Sequence, residues 1–149
     1  NRKDSLYIKS KVIQANTDVN KAFAARNPVV LRSKSSLIQV KKDPVLVDTV
    51  NNNNTYPADA YLYPKYTITV DNTYKDFNYY FSVIVDKQGE MQFKRLLTVV
   101  SPEFEEAKIR VAKGIINVYL QRLLDITPGN TLGFPHASVI SIRVKGIKG

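Results

Sequence analysis

The stretch that decides the fold runs FNYYFSVIV (77–85), DKQG (86–89), EMQFKRLLTVV (90–100), SP (101–102) and EFEEAKIRVAKGIINVYLQRLL (103–124), then, after a Pro-Gly turn, SVISIRV (138–144). Successive side chains of a strand point to opposite faces. Phe77, Tyr79, Phe81, Val83 and Val85 therefore share one side, and Asn78, Tyr80, Ser82, Ile84 and Asp86 the other. Asp86-Lys87-Gln88-Gly89 supplies a hairpin loop, in which Asp can cap the turn and Gly can take the left-handed conformation. The return strand is predicted from Met91 to Val99. Ser101-Pro102 then opens a helix with a capping hydroxyl and a proline at the first position. Glu103, Glu105 and Glu106 follow at the positive end of its dipole, which accounts for three carboxylates without catalysis.

Phe104, Ala107, Val111, Ile115, Val118 and Leu123 follow helical spacing toward Leu124 and form the face expected to cover the sheet. Gly114 costs about 1 kcal/mol relative to Ala in mid-helix, and the expectation is that it permits close approach to the sheet. Pro128-Gly129 is read as the end of this segment. Ser138 to Val144 forms the last strand, with Val139, Ser141 and Arg143 alternating against Ile140, Ile142 and Val144. A helix of about 23 residues spans ~34 Å and a strand of about ten spans ~33 Å, so the helix can carry the chain back across the sheet. The spatial order that follows is second–first–last, with the last strand at an edge.

The N-terminal third is less patterned. Leu6, Ile8 and Val12 suggest a first strand, and Asp18 to Ala25 a short helix stopped by Asn27-Pro28. Val29-Val30-Leu31, Leu37 to Val40 and Tyr66 to Val70 read as strands. Asn51 to Asn54 favour a loop or boundary. The fold class is α+β: an antiparallel sheet carrying one long helix on one face, with an N-terminal extension of extra strands. Residues 1–55 are read as a basic extension within the same globule, and 56–149 as the main domain.

The chain has 149 residues, 44% hydrophobic and 23% charged, the composition of a folded domain with a core of its own. Its net charge of +9 is uneven. Residues 1–45 hold ten Lys/Arg against Asp4, Asp18 and Asp43, a net +7, and the remainder carries only +2. No cysteine is present, which excludes disulfides and thiolate chemistry. His136, the single histidine, lies beside Pro135 at a strand entrance with no catalytic Ser or Cys near it in sequence, and a turn or surface role is expected. Seven tyrosines between 56 and 80 read as sheet-lining residues, with Tyr79 and Tyr80 on opposite faces. No phosphate-cradling loop, nucleotide fingerprint or metal-binding helix motif occurs. No cofactor, metal site or catalytic set is expected, and the chain is read as a binding module rather than an enzyme.

The ordered set Phe81 to Val85, Asp86-x-x-Gly89, Leu96-Leu97, Ser101-Pro102-Glu103, Ala107 to Ala112, Thr127-Pro128-Gly129, Gly133-Phe134-Pro135 and Val139 to Val144 resembles the C-terminal domain of TonB. Tyr56-Pro57-Ala58-Asp59-Ala60 is similar to that family's Tyr-Pro-x-x-Ala segment. The likeness covers about residues 77–145. Ile126 stands where the family has tryptophan, about 16 residues separate Ala60 from the first strand where the family has fewer, and residues 1–55 have no counterpart. The resemblance implies a periplasmic or cell-envelope protein, anchored through a segment upstream of Asn1. It would bind an extended peptide of an outer-membrane transporter by strand addition. The edge it implies here is Val139, Ile140, Ser141, Ile142, Arg143 and Val144. No small-molecule substrate or nucleic acid is expected as a partner. The alternative is a basic envelope surface-binding module in which residues 1–45 contact an anionic polymer, lipid or nucleic acid.

Overall fold

Sixteen residues at the start of the chain, with neither Gly nor Pro among them, form a helix where a strand was expected. In a computed structural model that describes residues 2–18, 21–23, 25–42 and 65–149, α1 spans Arg2–Thr17. Ile8, Val12 and Ala15 recur at four- and three-residue intervals, so one helical face is buried while Leu6, Tyr7 and Ile13 stay exposed. Of the helix expected over Asp18–Ala25, the described residues show only a turn, closed by the Lys21 N–H donating to the Asp18 carbonyl at 2.9 Å. The asparagine run and the Tyr56–Ala60 segment lie outside the described residues.

The strands are β1 (Val30–Ser33), β2 (Ile38–Lys42), β3 (Lys65–Thr73), β4 (Phe77–Val85), β5 (Met91–Leu96), β6 (Leu124–Thr127), β7 (Asn130–Thr131), β8 (Phe134–Pro135) and β9 (Ser138–Lys148). Five of them make one sheet in the order β2-β3-β9-β4-β5, antiparallel throughout except for the parallel pair β3–β9. β1 pairs with β6, a strand unforeseen because only Leu124 and Ile126 alternate there. The order β5-β4-β9 is the expected second–first–last. β9 is nevertheless not an edge, because β3 occupies its other side.

The β4–β5 hairpin closes as anticipated. Gly89 has φ 83°, and an Asp86 carboxylate oxygen accepts from the N–H groups of Gln88 and Glu90 at 2.8 and 2.9 Å. The return strand stops at Leu96, three residues short of the expected end. The second helix, α2, is α-helical over Pro102–Ile115, widens to a π-helical turn over Ile116–Leu120 and ends with Gln121–Leu123. Pro102 sits in its first turn, but the Ser101 hydroxyl makes no capping hydrogen bond.

The face that α2 lays on the sheet keeps Ile115 and the partly buried Leu123 of the expected set but not the rest. Phe104, Val111 and Val118 are 45–56% exposed, whereas Ala112, Ile115, Ile116 and Leu120 are buried against Phe81, Val83, Val85, Ile140, Ile142 and Val144. Two apolar stripes exist on this helix, and the sheet takes the one containing Ala112, whose small side chain allows close approach. Gly114 has no neighbour within 4 Å of where a Cβ would stand, so close approach is not its role. On the other face of the sheet, Ala15 of α1 joins Ala22, Phe23, Ala137, Val139 and Ile84 in a smaller core. This second core covers one end of that face.

Candidate functional site: an open strand edge

A strand can recruit a peptide only through unpaired backbone groups. Of the proposed docking residues, Val139 to Val144 all pair with β4 on one flank and Ser141 to Val144 pair with β3 on the other: Ser141 lies opposite Ser82 and Lys65, and Arg143 opposite Tyr80 and Thr67. The physical reason is that β9 is buried along one whole face and, at Val139, on the other as well. Ile140, Ile142 and Val144 are 0% exposed in the main core, and Val139 packs in the smaller one. Such a strand belongs in the centre of a sheet. The edge assignment from sequence is therefore corrected. Ser141 and Arg143 do share a face as expected, and Arg143 stands over the Tyr80 ring at 4.8 Å.

The sheet's edges among the described residues are β2 and β5. β2 is five residues long and carries exposed Lys41 and Lys42 at its end, the short charged form that discourages pairing. β5 is different. The Met91 N–H, 2.8 Å from the Gln121 Oε1, points away from β4, and the Gln121 Nε2 donates to the Gly89 carbonyl at 3.4 Å. One side-chain amide thus mimics a neighbouring strand and closes the first part of the edge. The π turn sets this up: the Gln121 N–H reaches the Ile116 carbonyl, five residues back, which shifts the phase at which Gln121 leaves the helix.

Outward and inward backbone groups alternate along an antiparallel strand, so Phe93 presents its N–H and C=O in the same outward direction as Met91. A bulge follows between the pairs Val83–Phe93 and Ser82–Arg95, after which the Leu97 N–H returns to the Tyr80 carbonyl at 2.9 Å. Beyond Gln121's reach no described strand pairs with the outer side of Phe93 to Leu96, and among the described residues this edge is open. It faces a groove of about 400 Å³ whose apolar wall is Phe93, Leu96, Val100 and Ile109 and whose charged rim includes Lys94 and Glu105. The far wall is the first part of α2, where residues 102 to 108 are all exposed. Four residues of strand are about 13 Å long, room for an extended segment of similar length.

His136 is not on the surface. It is fully buried and stacks on Phe23 with ring centroids 3.9 Å apart and planes 6° apart. Its Nδ1 lies 2.9 Å from the Ala137 carbonyl, an arrangement that requires the proton on Nδ1. Its Nε2 then accepts from the Thr131 hydroxyl at 2.8 Å, and that oxygen accepts from the Arg26 N–H at 3.2 Å. Both ring nitrogens are spent inside the protein, and burial pushes the imidazole's pKa down. This arrangement ties residues 26, 131 and 136 together and leaves no lone pair for chemistry. Among the described residues no group of three His, Cys, Asp or Glu side chains could hold a metal ion.

Compared with known proteins, the chain matches no family model, no curated protein and no solved structure. The residue that closes the start of this edge, Gln121, gave no signal in the sequence, because a polar residue near a helix end is ordinary. The one legible hint was Leu96-Leu97, apolar residues at the end of a strand followed by nothing that would cover them.

Proposed function

We propose that this chain is a protein-interaction domain that takes an extended peptide by strand addition, at the β5 edge rather than along β9. The observation that carries the reading is the division of β5. Its first residue is closed by the Gln121 amide, and among the described residues Phe93 to Leu96 are left open beside a groove of mixed apolar and charged lining. Main-chain pairing would supply affinity with little sequence demand, and the pocket between Phe93, Leu96 and Ile109 would select an apolar side chain of the peptide. Lys94 and Arg95 on the rim favour an acidic residue nearby, while Glu105 opposes one on the helix side. The likeness to the TonB C-terminal domain would make the partner a segment of an outer-membrane transporter and the location the periplasm.

The partner need not be identified for the reading to be tested. Peptides selected on the full chain from a random library are titrated into isotope-labelled protein, and amide shifts are mapped. Shifts centred on residues 92–97 and 105–109 are the expected result, with loss of binding in Ile109→Lys, which puts a charge into the groove while leaving the sheet pairing intact. Shifts centred on Ile38–Lys42, or full affinity in the folded Ile109→Lys variant, would place recognition elsewhere.

A further inference from the structure

The sheet's second face carries a charge pattern of which strand addition uses only Arg95. Reading the pairing register across the strands gives three consecutive rows on this face, beyond the part that α1 covers. The first is Gln39, Thr69, Lys145 and Asn78. The next is Lys41, Thr67, Arg143 and Tyr80. The third is Lys65, Ser141, Ser82 and Arg95. Strands stand ~4.8 Å apart and same-face residues ~6.8 Å apart, so this field measures about 14 Å by 14 Å. Among the described residues these rows hold five cations and no acid, and the nearest described carboxylate in register, Asp71, stands one row beyond. Gln39, Lys41, Asn78, Arg95 and Lys145 are exposed, and Thr67, Thr69, Tyr80, Ser141 and Arg143 half-exposed. The rest of the field is hydroxyl and amide side chains.

We propose that this face binds an anionic polysaccharide, a linear glycan bearing carboxylate or sulfate groups. Charge complementarity sets the sign of the partner, and a flat field of this density fits a chain that carries a charge on every sugar or two. The choice among polyanions follows from the remaining side chains. Stacking of bases needs a bare aromatic platform. Tyr80 is the one aromatic in these rows, and its ring already has Lys65 and Arg143 at 4.8 Å. Binding to a lipid surface draws on apolar side chains that enter the acyl boundary, and none lies in the three rows. Sugar hydroxyls, by contrast, match Gln39, Thr69, Asn78 and Ser141 as donors and acceptors. The basic excess of residues 1–45 contributes only Lys41 here, so the surface is a product of the sheet register and not of an N-terminal arm.

The test uses the full chain and four probes: a heparin octasaccharide, an oligogalacturonate, a single-stranded RNA of matched charge, and vesicles containing phosphatidylserine. The wild type should bind at least one glycan more tightly than the RNA or the vesicles, with affinity falling as salt rises. The triple variant K41Q/R143Q/K145Q should lose tenfold or more in glycan affinity. K34Q/K87Q/K113Q removes the same charge elsewhere and should stay within threefold of wild type. If the first triple does not fold by circular dichroism, the exposed pair K41Q/K145Q serves, with a loss of at least threefold expected against a matched pair, K87Q/K113Q. Equal losses in face and control variants, tighter binding of RNA or vesicles, or no glycan binding at physiological salt would each overturn the proposal.

Discussion

Replacing Gln121 by Ala removes both hydrogen bonds that close the start of the β5 edge. Met91 is buried, 7% exposed, so its N–H loses a partner at 2.8 Å with little water to replace it. Leaving a buried donor unsatisfied costs ~1–3 kcal/mol. The second bond, to the Gly89 carbonyl, is long at 3.4 Å and sits by the hairpin, where solvent can substitute, so it adds little. The expected loss is thus about 1–2 kcal/mol, a fall in Tm of ~2–8 °C for a domain of this size. Gln121→Glu should recover part of it, because a carboxylate still accepts from Met91 although it cannot donate to Gly89. Urea unfolding gives the energy, and amide hydrogen exchange gives the location: Met91 should lose protection in Gln121→Ala while the central strands β4 and β9 keep theirs. The open edge would also lengthen, so peptides selected on the wild type should bind the alanine variant with additional shifts at residue 91. Unchanged Met91 exchange together with a stability loss below half a kcal/mol would refute the reading of Gln121 as a strand mimic.

Ile115→Ala should cost ~2–5 kcal/mol by urea unfolding, since Ile115 is 5% exposed and packs on side chains that are fully buried; a cost under half a kcal/mol would mean that the helix does not cover the sheet there. Gly114→Ala should stabilise by ~0.5–1 kcal/mol, because the site is mid-helix and has open space for a Cβ. Destabilisation instead would reveal a contact that the structure lacks. For His136 the folded-state pKa lies below the ordinary value near 6.5. Between the two values the unfolded chain binds a proton that the folded chain does not, so stability is full above about pH 6.5 and falls as pH drops, by at most ~1.4 kcal/mol per pH unit. The downfield imidazole resonances followed by NMR, with urea midpoints at pH 7.5 and 5.5, check both the direction and the owner of the effect.

The parts legible in the sequence were those whose signal is local. The hairpin at Asp86–Gly89 is written in two residues whose carboxylate and positive φ do the work, and the entry to α2 in Pro102. Alternation along 66–70 and 77–85 showed two strands because their core-facing residues, Ile68, Val70, Phe81 and Val83, are large and apolar. What failed was partner choice. The parallel pairing of Lys65 with Ser141 joins residues far apart in the chain, and no turn fixes its register. The helix offered two overlapping apolar stripes, at 104, 107, 111, 115 and 118 and at 112, 115, 116 and 120, and only packing distinguishes them. α1 failed for the opposite reason: Leu6 and Ile8 alternate over too short a span to outweigh a helical face at Ile8, Val12 and Ala15.

The position of β3 has consequences for function beyond the fold. If β9 had remained an edge, its mixed face of Ser141 and Arg143 would have flanked any added peptide, and selectivity would have been polar. With β3 alongside, Ser141 and Arg143 become the middle of a wide basic field, and strand addition is moved two strands away to β5. There the neighbours of an added peptide are Phe93, Leu96 and Ile109 on the helix side and Arg95 on the other. The two candidate surfaces meet at that residue: Arg95 belongs to the groove's lining and to the third row of the basic field. A glycan lying across the face and a peptide at the edge would therefore compete for one guanidinium or share it. Arg95→Gln separates these cases. If occupancy of the two sites is linked through Arg95, a saturating heparin octasaccharide changes peptide affinity in the wild type and leaves it unchanged in the variant; the same change in both would place the coupling elsewhere.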